Sequence, residues 1–164
     1  MRRLVAGLVL LLAVKALPAQ ESGIAVGSAA PGAAVETLDG APVDLATFIG
    51  RKPALFQFWA TWCSNCKALE PQMDAMIQAY GRQVNFVAVA VSVNQSVDRI
   101  KAYRDKHEMK QAIVYDRKGN AADAYEVAAT SYIVVVDAKG KVVYTGVGAD
   151  QNIAAALKKA GIGR

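Results

Sequence analysis

Ala54-Leu55-Phe56-Gln57-Phe58-Trp59-Ala60-Thr61-Trp62-Cys63-Ser64-Asn65-Cys66 is the stretch that decides how this chain is read. It opens with an apolar run of strand length, Ala54 to Ala60, and the run leads directly to two cysteines three positions apart. From Cys63 to Tyr80 the apolar residues Cys66, Leu69, Met73, Met76, Ile77 and Tyr80 recur at intervals of three and four, the stripe of an amphipathic helix. The stretch therefore predicts a buried strand, a turn and a helix, with both sulfurs at the junction. No other cysteine occurs among the 164 residues. A pair so spaced can close as a disulfide or open as a dithiol, and little else in the chain competes as a reactive centre. An inert staple is a weak alternative, because closing so short a loop removes little entropy from the unfolded chain.

Working outward, Val84 to Ser92 is a nearly continuous apolar run and reads as a second central strand, covered on both faces. Ser96 to His107 follows as a helix with Val97, Ile100 and Tyr103 inward and a solvated basic face outward. A short strand at Ile113–Tyr115, a polar turn at Asp116–Asn120 and a short helix at Ala121–Tyr125 come next. Tyr132–Val136 is then turned by Asp137-Ala138-Lys139-Gly140 into Lys141–Thr145, an antiparallel hairpin, and Asp150 is expected to cap a last helix, Asn152–Ala160. Upstream, Ala33–Leu38 reads as an edge strand turned at Asp39-Gly40 into Pro42–Leu45, and Leu45–Ile49 as one helical turn. Pro71 falls inside the first helix, where it removes a hydrogen bond and predicts a kink. The order of elements implies an α/β fold, a mixed central sheet flanked by helices with an N-terminal strand extension. One domain is expected over 33–164, preceded by a loose arm at 20–32.

Met1-Arg2-Arg3, the apolar run Leu4–Val14 and Lys15-Ala16-Leu17-Pro18-Ala19 have the layout of a secretory signal peptide over 1–19, cleaved near Ala19. The rival is an uncleaved anchor, but the apolar run is well short of the roughly 20 residues that span a bilayer. The expected location is the periplasm or another extracytoplasmic compartment. Of the formal charge of +5, Arg2, Arg3 and Lys15 belong to the leader. The remainder is mild and scattered, which argues against nucleic acid as a partner. Gly146-Val147-Gly148 lacks the third glycine of a dinucleotide site and reads as a loop.

Phe58-Trp59-Ala60-Thr61-Trp62-Cys63-Ser64-Asn65-Cys66-Lys67, with Pro71 beyond, resembles the active-site signature of the thioredoxin superfamily, and more narrowly the exported TlpA-like thiol-disulfide oxidoreductases. The likeness extends upstream through Leu38-Asp39-Gly40 and Gly50-Arg51-Lys52-Pro53, and downstream into the Val135-Val136-Asp137 hairpin. It implies a thioredoxin-like fold and disulfide exchange with protein thiols or disulfides, without a cofactor or a metal at the site. It also implies a membrane electron donor for a reductase, and a monomer is expected. Cys63, at the amino end of a helix, is assigned as the nucleophile, and Cys66, one turn on and more shielded, as the resolving thiol. Trp62, Thr130 and Ser131 are the expected substrate contacts.

Three residues depart from the family pattern. Ser131 stands where the superfamily places a cis-proline facing the cysteines, so a trans Thr130-Ser131 bond and an altered loop are expected. Gln57 stands where thioredoxins carry a buried acid, and Leu69 where many TlpA-like proteins carry a glutamate. The nearest carboxylate in sequence, Glu70, is expected to point away from the core and to pair at the surface with Lys67.

Two other functions share these residues. A metal-binding or copper-delivery protein would use the two thiolates, but the single histidine, His107, reads as a solvated helix end, and two cysteines and one histidine fall short of a closed zinc site. A peroxide-reducing enzyme would need an arginine and a threonine beside the cysteine, and only Thr61 is placed.

Overall fold

The apolar run ahead of the cysteines forms a strand buried at every position in the computed structural model of the protein, which describes residues 23–163. In chain order the elements are β1 (Ala34–Thr37), β2 (Pro42–Asp44), a 3-10 turn (Leu45–Phe48), β3 (Ala54–Trp59), α1 (Ser64–Tyr80), β4 (Asn85–Val91), α2 (Val97–Lys106), β5 (Ala112–Asp116), α3 (Asn120–Ala124), β6 (Tyr132–Val136), β7 (Val142–Gly146) and α4 (Ile153–Lys159). The expected leader, residues 1–19, lies outside the described residues.

The seven strands make one mixed sheet in the order β2-β1-β5-β4-β3-β6-β7. β3, β4 and β5 run parallel, while β6 lies antiparallel to β3 and β7 antiparallel to β6. β3 and β4 are interior strands, which is why both are nearly unbroken apolar runs. Leu55 meets Leu69, Met73, Ile133, Ile153 and Leu157, the inward residues of α1 and α4 among them. Phe56 and Phe58 point the other way, against Tyr125. Each large side chain so buried contributes roughly 1.5–3 kcal/mol relative to exposure.

Away from the cysteines, the structure differs from the sequence expectations in four places. The edge strand is β2; β1 lies inside it, paired with both β2 and β5. Residues 23–32 are held, not loose: Ile24 is buried, its N–H donates to Tyr125 O, and Gly27, Ser28 and Ala30 exchange backbone bonds with Val142 and Gly140. The cap of α4 is Asn152, whose side chain accepts from Ala155 N at 2.9 Å, and Asp150 has no capping role. Finally, Asp116 is no exposed turn residue. It ends β5 fully buried and accepts from Ala121 N and Ala122 N, holding the first turn of α3. α1 runs as one 17-residue helix through Pro71, which sits on its exposed side.

Candidate active site

β3 carries the chain to the end of the sheet where β4 also finishes and where the antiparallel β6 begins. At that end Ala60-Thr61-Trp62 turns it into α1. Cys63 is the N-cap of the helix: its backbone is extended and its Sγ accepts from Cys66 N at 3.1 Å. The two sulfurs are bonded to each other, with Cα atoms 5.3 Å apart. Both cysteines are 4% exposed, so the expectation that Cys66 is the more shielded is corrected. What distinguishes them is position. Once the disulfide opens, Cys63 Sγ lies against helix N–H groups that have no intrahelical acceptor, where backbone dipoles favour a thiolate.

Two contacts from the loop after β4 fix the turn. Gln95 accepts from Thr61 N at 3.0 Å and donates to Val91 O, and Trp62 Nε1 donates to Val93 O at 2.9 Å. The indole of Trp62 is thereby pinned at one edge while its face stays in solvent, 46% exposed. Val93 and Val147 are exposed as well, and both follow strands that finish at this end of the sheet.

The loop opposite is built on Ser131. No cis peptide bond occurs among the described residues, and Ser131 has φ of +65°. It is fully buried. Its N–H donates to Phe58 O at 2.9 Å, its hydroxyl donates to Gly148 O at 3.0 Å, and its carbonyl accepts from Gln151 Nε2 at 2.9 Å. All of its polar groups are thus engaged within the fold, whereas neighbouring Thr130 is half-buried. Gln151, itself buried, also donates to Gly148 O and accepts from Tyr144. Gly146 leaves room for this network: a Cβ there would stand 2.3 Å from Tyr144 Oη and 2.6 Å from Gln151 Oε1.

Behind the cysteines is a cavity of about 20 Å³ whose wall includes Gln57, Trp59, Cys66, Glu70, His107 and Gln111. Glu70 does not point away from it and does not pair with Lys67, as the stripe had suggested. One carboxylate oxygen accepts from Tyr103 Oη, and the other lies 3.1 Å from His107 Nδ1. His107 is no solvated helix end either: it is the C-cap of α2, half-buried, and stacks on Tyr103 with ring centroids 3.9 Å apart. Lys67 lies instead over the Tyr103 ring, 5.9 Å from its centroid. Burial, together with the hydrogen bond to Glu70, pushes the Tyr103 phenol well above its ordinary value. Among the described residues, no cluster of three or more His, Cys, Asp or Glu is arranged to hold a metal ion.

Gln95, Gln151 and the Glu70–Tyr103–His107 group were not singled out by sequence. The four-residue spacings of Cys66 to Glu70 and of Tyr103 to His107 place each pair on one helix face. That the two faces meet is a tertiary fact with no local signal.

A disulfide pair at the amino end of the helix that follows a central strand, within this sheet order, defines a redox protein of the thioredoxin superfamily. More particularly, the sequence profile of the AhpC/TSA family matches residues 26–145, and the chain belongs to that family. It is similar to the thioredoxin-like protein YneN of Bacillus subtilis, with 34% identity over 122 residues, 74% of this chain and 71% of that protein. The thiol-disulfide oxidoreductase ResA of Geobacillus thermodenitrificans is 28% identical over 123 residues, 75% of this chain and 70% of that one. A secreted Mycobacterium tuberculosis disulfide oxidoreductase homologous to E. coli DsbE superimposes with a TM-score of 0.66 at 26% identity, covering 79% of this chain and 95% of the other. By fold, relatives and active pair, the protein is a thiol-disulfide oxidoreductase.

Proposed function

We propose that the protein is exported and reduces disulfides in other proteins outside the cytoplasm, with electrons returned to it by a membrane donor. The observation that carries the reading is the placement of Cys63 as N-cap with Cys66 one turn behind it, joined in a disulfide. In the reduced enzyme the Cys63 thiolate attacks one sulfur of a partner disulfide. The other partner sulfur leaves as a thiolate, and a mixed disulfide remains. Cys66 then attacks Cys63 Sγ, the partner's second sulfur departs, and the Cys63–Cys66 disulfide closes, so two electrons have passed from enzyme to partner. Export is supported by the leader pattern of residues 1–19 and by the secreted relative. The reducing direction and the membrane donor rest on the TlpA-like resemblance.

Protein partners suit the surface around the pair. Of the four large apolar residues left exposed among the described residues, Trp62, Val93 and Val147 lie at the end of the sheet where the cysteines are, and Val26 lies in the segment before β1. Trp62 and Thr130 are proposed to contact the partner chain, while Ser131 shapes the loop from within.

The test is covalent capture. Reduced protein carrying Cys66→Ser is incubated with an extracytoplasmic extract, and adducts are separated without reductant. Capture of specific disulfide-bearing proteins through Cys63 is the expected result. If neither this variant nor Cys63→Ser captures anything, disulfide exchange with proteins is ruled out.

A further inference from the structure

For Cys66 to attack, its thiol must lose a proton in a buried position, and neither acid expected from the family is present: Gln57 and Leu69 occupy those places. The cavity behind Cys66 supplies a different acid. Glu70 lies one turn beyond Cys66 on the same face of α1 and shares the cavity wall with it. We propose that Glu70, held by Tyr103 and His107 of the second helix, accepts the proton of the Cys66 thiol during release of the partner. The proposal rests on the exchange reading above and adds to it the route of the proton.

Three observations support it. First, the carboxylate is held from both sides, by the Tyr103 hydroxyl on one oxygen and His107 Nδ1 on the other, with the two rings stacked. This arrangement fixes it beside the cavity. Second, the cavity is polar where it meets the core: Trp59 Nε1 and Gln111 Oε1 are buried there without a protein partner, and its volume matches one water molecule. Third, His107 and Asp74 belong both to this cavity and to an open surface groove of about 500 Å³. A proton taken at Glu70 therefore has an exit to solvent.

The step balances. The Cys66 S–H bond breaks and its proton goes to a Glu70 carboxylate oxygen. The Cys66 electron pair forms the bond to Cys63 Sγ, and the bond from Cys63 to the partner breaks with the partner leaving as a thiolate. Tyr103 and His107 are positioning residues. The other charged groups facing this cluster are Lys67 and Asp74 from α1 and Glu108 and Lys110 from the segment after α2.

The experiment uses reduced protein and equimolar 5,5′-dithiobis(2-nitrobenzoate) in a stopped-flow instrument. The coloured thiolate is released twice, when Cys63 attacks and when Cys66 displaces the remaining half. In Glu70→Gln the first release is expected within about twofold of the parent. The second is slowed on the order of 100-fold near neutral pH, with its pH profile displaced upward. Glu70→Asp recovers part of the second rate, and His107→Gln, which keeps a donor toward Glu70, slows the second phase less than His107→Ala does. A second phase unchanged in rate and pH profile in Glu70→Gln would overturn the proposal, as would equal slowing of both phases. Absence of the first release in the parent would instead sink the exchange reading itself.

Discussion

Ser131 occupies a backbone region that non-glycine residues seldom adopt, at φ of +65°, and it does so fully buried beside β3. Such a conformation costs on the order of 1–3 kcal/mol and persists only where neighbours over-determine it. Here the neighbours are Phe58, Gly148 and Gln151, which between them take the N–H, the hydroxyl and the carbonyl of the residue. The superfamily's proline cannot simply be restored at this site. Its ring fixes φ near −65° and deletes the N–H that now bonds Phe58 O. Ser131→Pro is therefore expected to lower stability by about 3 kcal/mol, from the lost buried hydrogen bond and the incompatible dihedral. Urea denaturation followed by tryptophan fluorescence measures this. A variant as stable as the parent would show that the loop can switch to the family's conformation.

At the scale of elements, the active site is a helix terminus held by a loop from another strand. Gln95 joins the two: its side chain accepts from Thr61 N and donates to Val91 O, so the turn into α1 is tied to the end of β4. Gln95→Ala leaves the Thr61 N–H, on a residue that is itself buried, without that acceptor. It is expected to cost about 1–2 kcal/mol and to loosen Trp62, which thermal melts and acrylamide quenching of fluorescence would register. Stability and quenching both unchanged would show that the turn is held by the cysteine pair alone. The helix, the strand before it and the redox pair were legible in sequence because each is a local pattern: an apolar run, a stripe of three and four, a CxxC at the junction. What was not legible depends on who lies opposite. β1 looked like an edge because nothing in its four residues announces β5 as a second partner. Glu70 looked solvated because its partners, Tyr103 and His107, come from another helix more than thirty residues later. Asn152 displaced Asp150 as a cap because the chain enters α4 two residues later than the carboxylate suggested, with Gln151 drawn inward to Ser131.

Across the whole molecule, the sheet's two faces are sealed in part by tyrosine rings, those of Tyr125 and Tyr132 buried and those of Tyr103 and Tyr144 half-buried. Tyr125 packs on Phe56 and Phe58 and donates to Pro31 O at 2.8 Å, holding the segment before β1 to the core. Tyr132 and Tyr144 flank the hairpin and Tyr103 lies against Trp59. Burial raises the phenol of all four above the ordinary value of 10. The folded state therefore holds these protons more tightly than the unfolded chain does. Its stabilisation is complete below about pH 10, where both states are protonated, and it falls as pH rises from there toward the folded-state values, because only the unfolded chain releases the protons. The expected outcome is a melting temperature clearly lower at pH 11 than at pH 8, accompanied by tyrosine ionisation at 295 nm that appears together with unfolding. Surface lysines titrate in the same range, so Tyr125→Phe separates the causes. At pH 8 it loses the bond to Pro31 and about 1 kcal/mol, but its further loss between pH 8 and pH 11 is smaller than the parent's. Equal alkaline losses in the two proteins would assign the effect to the surface and not to the tyrosines that close the core.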